Sequence, residues 1–184
     1  CISSAASDVY KRQDTLYATT VPYCNVGLKP YEYSTETAAQ ILDEAGWVLD
    51  GDKMRAKDGK QLALDLLYNS DSVTEKTIAE YLQSEYLKLG ISMTIHGEEE
   101  QSYRDNMKAG NFDMVFNICW GMPYDPQSSL AAMRAPVYGD YAAQQGLEDK
   151  AEIDEAITKI LTSTDDAERQ ELYKSVLTNL HEDA

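Results

Sequence analysis

The middle of the chain alternates between strand-like and helix-like patterns. Alternating apolar positions predict strands over 62–67 and 91–95, and the apolar run 112–118 predicts a third, buried strand. Helical spacing predicts an amphipathic helix over 73–89, and an acidic first turn with a terminal glycine predicts another over 98–109. Connections of this length imply parallel pairing with right-handed crossovers, so we predict an α/β fold.

Shorter elements are predicted on both sides of this core. Ser34 or Thr35 caps a helix that Gly46 ends, and Asp58-Gly59 marks a hairpin. The other predicted segments are an irregular stretch over 14–33, a short helix over 128–134, a polar loop over 137–147, and two helices, around 153–161 and, capped by Thr164, around 172–180. The last two helices are expected to pack as a hairpin on the sheet.

Length and charge narrow the classes of function. A chain of 184 residues fits one domain with a substantial core. Its formal net charge of −16 argues against nucleic acid and against docking on an anionic membrane, since both need a basic face. No apolar run approaches the length of a membrane span, so direct membrane insertion is not expected. The acidity indicates a solvated surface rather than cation binding.

The cysteines and the chain ends carry less information. Cys1, Cys24 and Cys119 lack metal-type spacing, and a Cys24–Cys119 disulfide would require the fold to bring both thiols together. We favour unpaired thiols, because cysteine often packs in cores as a small hydrophobe. Both chain ends resemble cuts, which predicts a fragment of a longer protein. Residues 1–13 resemble translated cloning-adapter sequence and are set aside as a suspected artefact; the alternative is a polar helix or loop.

The sequence offers little support for catalysis. His96 and His181 have no serine or cysteine nearby in a nucleophile motif, and no glycine-rich phosphate loop is present. A hydrolase that uses Glu98 or Asp125 as its base lacks a partner at a recognisable spacing, so no catalytic residue is assigned. Metal motifs of cysteine or histidine are also missing, so we expect neither a protein metal cage nor an intrinsic cofactor.

The best candidate for a binding surface follows the third predicted strand. Trp120 and Tyr124 lie in a segment that two prolines stiffen, at the carboxyl end of a strand, where open α/β sheets usually hold ligands. Their rings could stack on a flat or cationic ligand, beside the phenol of Tyr138. Arg134 could bind a carboxylate through two hydrogen bonds. Two alternatives stay open: Trp120 and Tyr124 are core aromatics, and Arg134 braces a loop.

Several motifs are typical of one class of transport protein. They are AAQILDEAGW at 38–47, KDGK at 57–60, FDMVF at 112–116 and WGMPYDP at 120–126. On these motifs, the chain from residue 14 resembles the peptide/nickel class of solute-binding proteins that supply ABC importers, and within it the periplasmic nickel-binding group. The resemblance implies that residues 14–184 form the second ligand-binding lobe of a two-lobed, periplasmic-binding-protein-like fold. Such a lobe has a mostly parallel sheet with helices on both faces.

The resemblance also implies a function. The protein would capture a nickel–chelator complex between two lobes, with Trp120 and Tyr124 facing the chelate, and deliver it to a membrane permease. No bond would be made or broken. Its partners would be the first lobe, which is missing from this chain, and the subunits of an ABC permease. It would act in the periplasm or outside the cell, either free or anchored as a lipoprotein.

Two departures from the class leave the cargo open. The nickel-binding group has a metal-coordinating histidine where this chain has Tyr138, and a phenol is a poor ligand for divalent nickel compared with imidazole. Peptide binders carry a Gly-Asp where this chain has Gly121-Met122, which disfavours a short peptide but keeps it as the alternative cargo. A purely structural interaction domain would instead bury Trp120 and Tyr124.

Overall fold

The computed structural model describes residues 16–117 and 126–182. The chain divides into two compact units, one formed by Cys1–Tyr33 with Cys119–Ala184 and the other by Ser34–Ile118. We call them the helical unit and the sheet unit. Among the described residues, no helix is both long and apolar enough to cross a membrane. The suspected artefact, residues 1–13, lies outside the described residues.

The elements follow the predicted order closely. In the sheet unit they are α1 (Thr35–Glu44), β1 (Val48–Leu49), β2 (Arg55–Lys57), β3 (Lys60–Gln61), β4 (Ala63–Asn69), α2 (Val73–Lys88), β5 (Ser92–Glu98), α3 (Glu100–Ala109) and β6 (Met114–Val115). In the helical unit they are α4 (Gln127–Ala132), α5 (Gly139–Ala143), α6 (Lys150–Thr162) and α7 (Asp166–Glu182). As predicted, the described residues 16–33 form no regular element.

The main sheet of the sheet unit is parallel, as predicted, with β4 between β5 and β6. The chain moves outward from β4 to β5 and then back across β4 to β6. Parallel strands are joined by right-handed crossovers, and with that hand this reversal places α2 and α3 on opposite faces, in agreement with the predicted helices on both faces. Leu66 and Tyr68 pack with Ala79 of α2 on one face, while Leu67 is buried on the other. Strand β6 is shorter than the predicted 112–118 and only partly buried.

Local hydrogen bonds explain where the helices begin and end. Ser34 Oγ accepts from the Thr37 amide at 3.1 Å, and Ser72 Oγ accepts from the Glu75 amide at 3.2 Å. Each serine thereby satisfies an amide that the first turn of a helix leaves without a partner. Gly110 ends α3 in the left-handed conformation with φ 72°, as its sequence position predicted.

A small antiparallel sheet of β1, β2 and β3 accompanies the parallel one. The predicted Asp58-Gly59 hairpin is present, and both turn residues have positive φ, as a two-residue turn of type I′ requires. Strand β1 was not predicted; Val48 and Leu49 pair with β2 in antiparallel fashion.

The helical unit buries its core between α6 and α7. Ile157, Ile160 and Tyr173 are fully buried there, and Tyr17 and Cys24 join the same cluster. Cys24 is thus a core residue, as expected of a thiol that packs as a small hydrophobe, whereas Cys119 lies outside the described residues.

Two local predictions for the helical unit were wrong. Residues 139–143 of the predicted loop form α5, and the cap of α7 is not Thr164. Instead, Asp165 Oδ1 accepts from the amides of Ala167 and Glu168 at 2.9 and 3.0 Å. An ionised carboxylate suits this position because it also complements the positive end of the helix dipole.

Candidate functional site

The four predicted ligand-binding residues divide into two pairs. Trp120 and Tyr124 fall within 118–125, outside the described residues. Arg134 and Tyr138 are described, on the short connection between α4 and α5 in the helical unit.

The end of β6 is held by a residue that the sequence reasoning missed. The hydroxyl of Tyr103, on α3, donates a hydrogen bond to the carbonyl of Phe116. The Phe116 amide in turn donates to the carbonyl of Leu67 in the central strand, at 3.4 Å. The chain therefore leaves the sheet unit, just before residue 118, from an anchored backbone at the carboxyl end of a parallel strand. The available sequence signal was a single aromatic residue in a mostly polar helix.

Raising the pH above 10 is expected to destabilise the protein partly through Tyr103. Burial, aided by the carboxylates of Glu75 and Glu100, raises the pKa of Tyr103 to about 12. Because this folded-state pKa exceeds the unfolded value of about 10, the stabilisation is complete below pH 10 and is lost between about pH 10 and pH 12. In Tyr103→Phe, this part of the alkaline loss should disappear, a difference of at most about 3 kcal/mol.

Urea unfolding at pH 8 to 12 measures this effect. Tyr81→Phe is the control, because Tyr81 lies on α2 with an exposed side chain and should keep the wild-type dependence on pH. The same alkaline slope in Tyr103→Phe and wild type would contradict the prediction.

Arg134 and Tyr138 both present exposed side chains. Arg134 follows Met133, the buried C-cap residue of α4, and the Tyr138 side chain is 52% exposed. The backbone between them is ordered by local bonds, since the Tyr138 amide donates to the carbonyl of Ala135 at 3.0 Å. Tyr138 is also the N-cap residue of α5. Neither side chain serves the core, so both are available to a ligand.

The two histidines make contacts within their own units. His96 Nδ1 lies 2.9 Å from Asp65 Oδ1, and His181 Nε2 lies 2.8 Å from the carbonyl of Lys29. The ring of His181 also stacks on Tyr31, with 4.7 Å between the ring centroids. Within the described ranges, no three histidine, cysteine or carboxylate side chains group as metal ligands.

Comparison with known proteins gives consistent matches. The profile of bacterial extracellular solute-binding proteins, family 5, middle part, matches residues 2–140. The nickel-binding periplasmic protein of Escherichia coli strain K12 is 40% identical over 184 residues, which is 100% of this chain and 35% of that protein. The crystal structure of NikA from Brucella suis in complex with Fe(III)-EDTA matches with a TM-score of 0.88 and 48% identity, over 94% of this chain and 35% of that chain.

Peptide binders also match. The periplasmic oligopeptide-binding protein OppA of Salmonella typhimurium is 27% identical over 150 residues, 81% of this chain and 25% of that protein. The chain thus spans well under half the length of these relatives. The matched span of the family profile begins at residue 2 and so includes residues that were set aside as a suspected artefact. Together the matches confirm the resemblance that the sequence motifs indicated.

Proposed function

The chain belongs to the bacterial extracellular solute-binding proteins of family 5, and from this premise we propose that its parent protein captures a nickel–chelator complex. The complex is held between two lobes, of which residues 14–184 contribute the second. Closure of the lobes then presents the loaded protein to an ABC permease, and no bond is made or broken. The protein works outside the cytoplasmic membrane, either free or held by a lipid anchor.

The observation that carries this proposal is the match to NikA from Brucella suis, which was solved with a metal chelate, Fe(III)-EDTA. The similarity to the nickel-binding periplasmic protein of Escherichia coli spans 100% of the chain, so it includes the segment that holds the candidate residues. In a chelate the metal is already ligated by an organic acid. The binding site then needs aromatic rings for stacking and hydrogen-bond donors rather than metal ligands.

The candidate residues supply such aromatic rings and hydrogen-bond donors. We assign the rings of Trp120 and Tyr124 to stacking on the chelate, and the guanidinium of Arg134 to a carboxylate of the chelator. The exposed phenol of Tyr138 completes the set as a hydrogen-bond donor. This assignment explains how a tyrosine can stand where the nickel-binding group has a histidine, because a metal saturated by its chelator needs no imidazole.

A short peptide is the second candidate cargo. It is favoured by the similarity to OppA of Salmonella typhimurium, which covers 81% of the chain. It is disfavoured by Met122, which stands where peptide binders carry the acid that receives the peptide amino group. A peptide would bind in the absence of metal, and this distinguishes the two cargoes.

Isothermal titration of the full-length protein tests the proposal. We expect tight binding of nickel with L-histidine, and weak binding of nickel alone or of a mixed dipeptide pool. Trp120→Ala and Tyr138→Ala should each weaken nickel–histidine binding about tenfold, the loss of roughly 1.4 kcal/mol that one ring contact provides.

Tyr81→Ala is the matched control for Tyr138→Ala. The two tyrosines are 55% and 52% exposed, but Tyr81 lies on α2 of the sheet unit and should leave the affinity unchanged. Tight binding of dipeptides without metal would move the protein to the peptide binders and reject the nickel assignment.

A further inference from the structure

Lys150, the first residue of α6, joins three elements of the helical unit through its ammonium group. Its Nζ donates to the carbonyl of Met133 at 3.1 Å, pairs with Asp154 Oδ1 at 2.5 Å, and lies 5.4 Å from the centre of the Tyr141 ring. Its side chain is only 14% exposed. The carbonyl, the carboxylate and the ring replace part of the water that the ammonium loses on burial.

The position of Lys150 is electrostatically unfavourable for its own helix, α6. A cation in the first turn is disfavoured by the helix dipole, whose positive end lies there. The same ammonium is well placed for α4, whose last carbonyls form the negative end of that helix and include Met133. Apart from its ion pair with Asp154 within α6, Lys150 therefore contacts α4 and α5, while the core face of α6 is filled by Ile153, Ile157 and Ile160.

These two contacts stand on either side of the candidate ligand residues. Met133 directly precedes Arg134, and Tyr141 lies in α5, the helix that Tyr138 caps. The connection between them is ordered by local hydrogen bonds, from the amides of Arg134, Ala135 and Tyr138 to the carbonyls of Ala131, Ala132 and Ala135. The part-buried Lys150 ammonium thus contacts both ends of the segment that presents the two exposed side chains.

We propose that Lys150 is a positioning residue of the cargo site, which holds Arg134 and Tyr138 in place for the ligand without touching it. This inference rests on the proposed function, because it assigns the two residues to cargo binding. Ordering the segment before the ligand arrives lowers the entropy lost on binding. Loss of Lys150 therefore weakens binding through Arg134 and Tyr138.

The first experiment is a titration of nickel with L-histidine into variants of the full-length protein. Lys150→Met should weaken binding about tenfold, and Lys150→Arg, which keeps the charge and the donors, should stay within about threefold of wild type. Lys159→Met is the matched control. Lys159 lies on the same helix and pairs with Glu155 four residues earlier at 2.8 Å, but it is exposed, so its loss should leave the affinity unchanged.

A double-mutant cycle separates positioning from a general structural role. In a Tyr138→Ala background, Lys150→Met should weaken binding less than about threefold, because one of the two side chains through which it acts is gone. Equal costs in both backgrounds would overturn the inference.

Hydrogen exchange in the cargo-free protein provides a test that does not depend on binding. Lys150→Met should speed exchange of the Arg134, Tyr138 and Ala142 amides at least about tenfold, with the sheet unit unchanged. Unchanged exchange at these amides would overturn the inference. Failure of the wild-type protein to bind nickel–histidine would overturn the proposed function instead, so the two failures are distinguishable.

Discussion

Replacing Arg55 with methionine is expected to lower the free energy of unfolding of the sheet unit by about 3 kcal/mol. Arg55 is 2% exposed, and its guanidinium connects three segments. Nε donates to the carbonyl of Leu89 at 2.7 Å, and Nη1 lies 2.5 Å from both the Trp47 carbonyl and Asp43 Oδ1. Methionine fills much of the volume but donates nothing. The Leu89 and Trp47 carbonyls then lose their charged partner, while the half-exposed Asp43 can be rehydrated.

Urea unfolding followed by the fluorescence of Trp47 measures this loss. Trp47 and Trp120 are the two tryptophans of the chain, so a Trp120→Phe background leaves Trp47 as the single reporter of the sheet unit. Lys57→Met is the matched control. Lys57 Nζ donates to the carbonyl of Ala45 at 2.8 Å in an exposed position, and its removal should cost no more than about 0.5 kcal/mol. Equal losses in the two variants would contradict a special role for Arg55.

Gly90→Ala is expected to destabilise the sheet unit by about 3 kcal/mol or more. Gly90 links α2 to β5 with φ 79°, a region that a side chain enters only with strain. A Cβ there would lie 2.6 Å from Leu49 Cδ2 and 2.9 Å from the carbonyl oxygen of Lys53. The leucine side chain can move, but the Lys53 carbonyl belongs to a turn whose Lys53 and Met54 amides are hydrogen-bonded to Asp50. The backbone strain and the steric overlap therefore both contribute to the destabilisation expected for Gly90→Ala.

Gly59→Ala is the control that separates these two costs. Gly59 has φ 76°, nearly the value of Gly90, yet a Cβ at Gly59 would meet no atom within 4 Å. Its replacement should cost only the backbone strain, about 1 kcal/mol. The difference between the two alanine variants, measured with the same Trp47 reporter, isolates the steric part. Equal destabilisation at both glycines would reject the overlap at Gly90.

The order of elements in the sheet unit was predictable because its signals are local. Each of these signals depends only on neighbours in sequence: the alternation over 62–67, the helical spacing over 73–89, and the glycines that end the helices before Gly46 and Gly110. Parallel pairing followed from the length of the connections, which no hairpin could span. The Asp58-Gly59 turn was equally local, because only its own two residues need positive φ.

Burial was predicted less well, because it depends on residues that are distant in sequence. Helical spacing places Ile41 and Ile78 on apolar helix faces, yet they are 59% and 42% exposed. Arg55, a charged residue with no apolar pattern around it, is buried. Its partners come from α1 and from the end of α2, and no periodicity in the chain indicates that they meet. Helix α5 was missed for the same reason, since a short, weakly amphipathic segment forms a helix only when its neighbours hold it.

The sequence by itself determined the α/β class, the order of the main elements and the family, through motifs whose residues lie side by side. It also nominated Trp120, Tyr124, Arg134 and Tyr138, because aromatic rings, prolines and a guanidinium in one region are visible without a fold. Only the tertiary structure separated the chain into two units and revealed the supports of the site, Tyr103 at the Phe116 carbonyl and Lys150 at Met133. Such supports act across 13 and 17 residues of sequence. Tertiary packing brings these residues into contact, and local sequence patterns do not indicate such contacts.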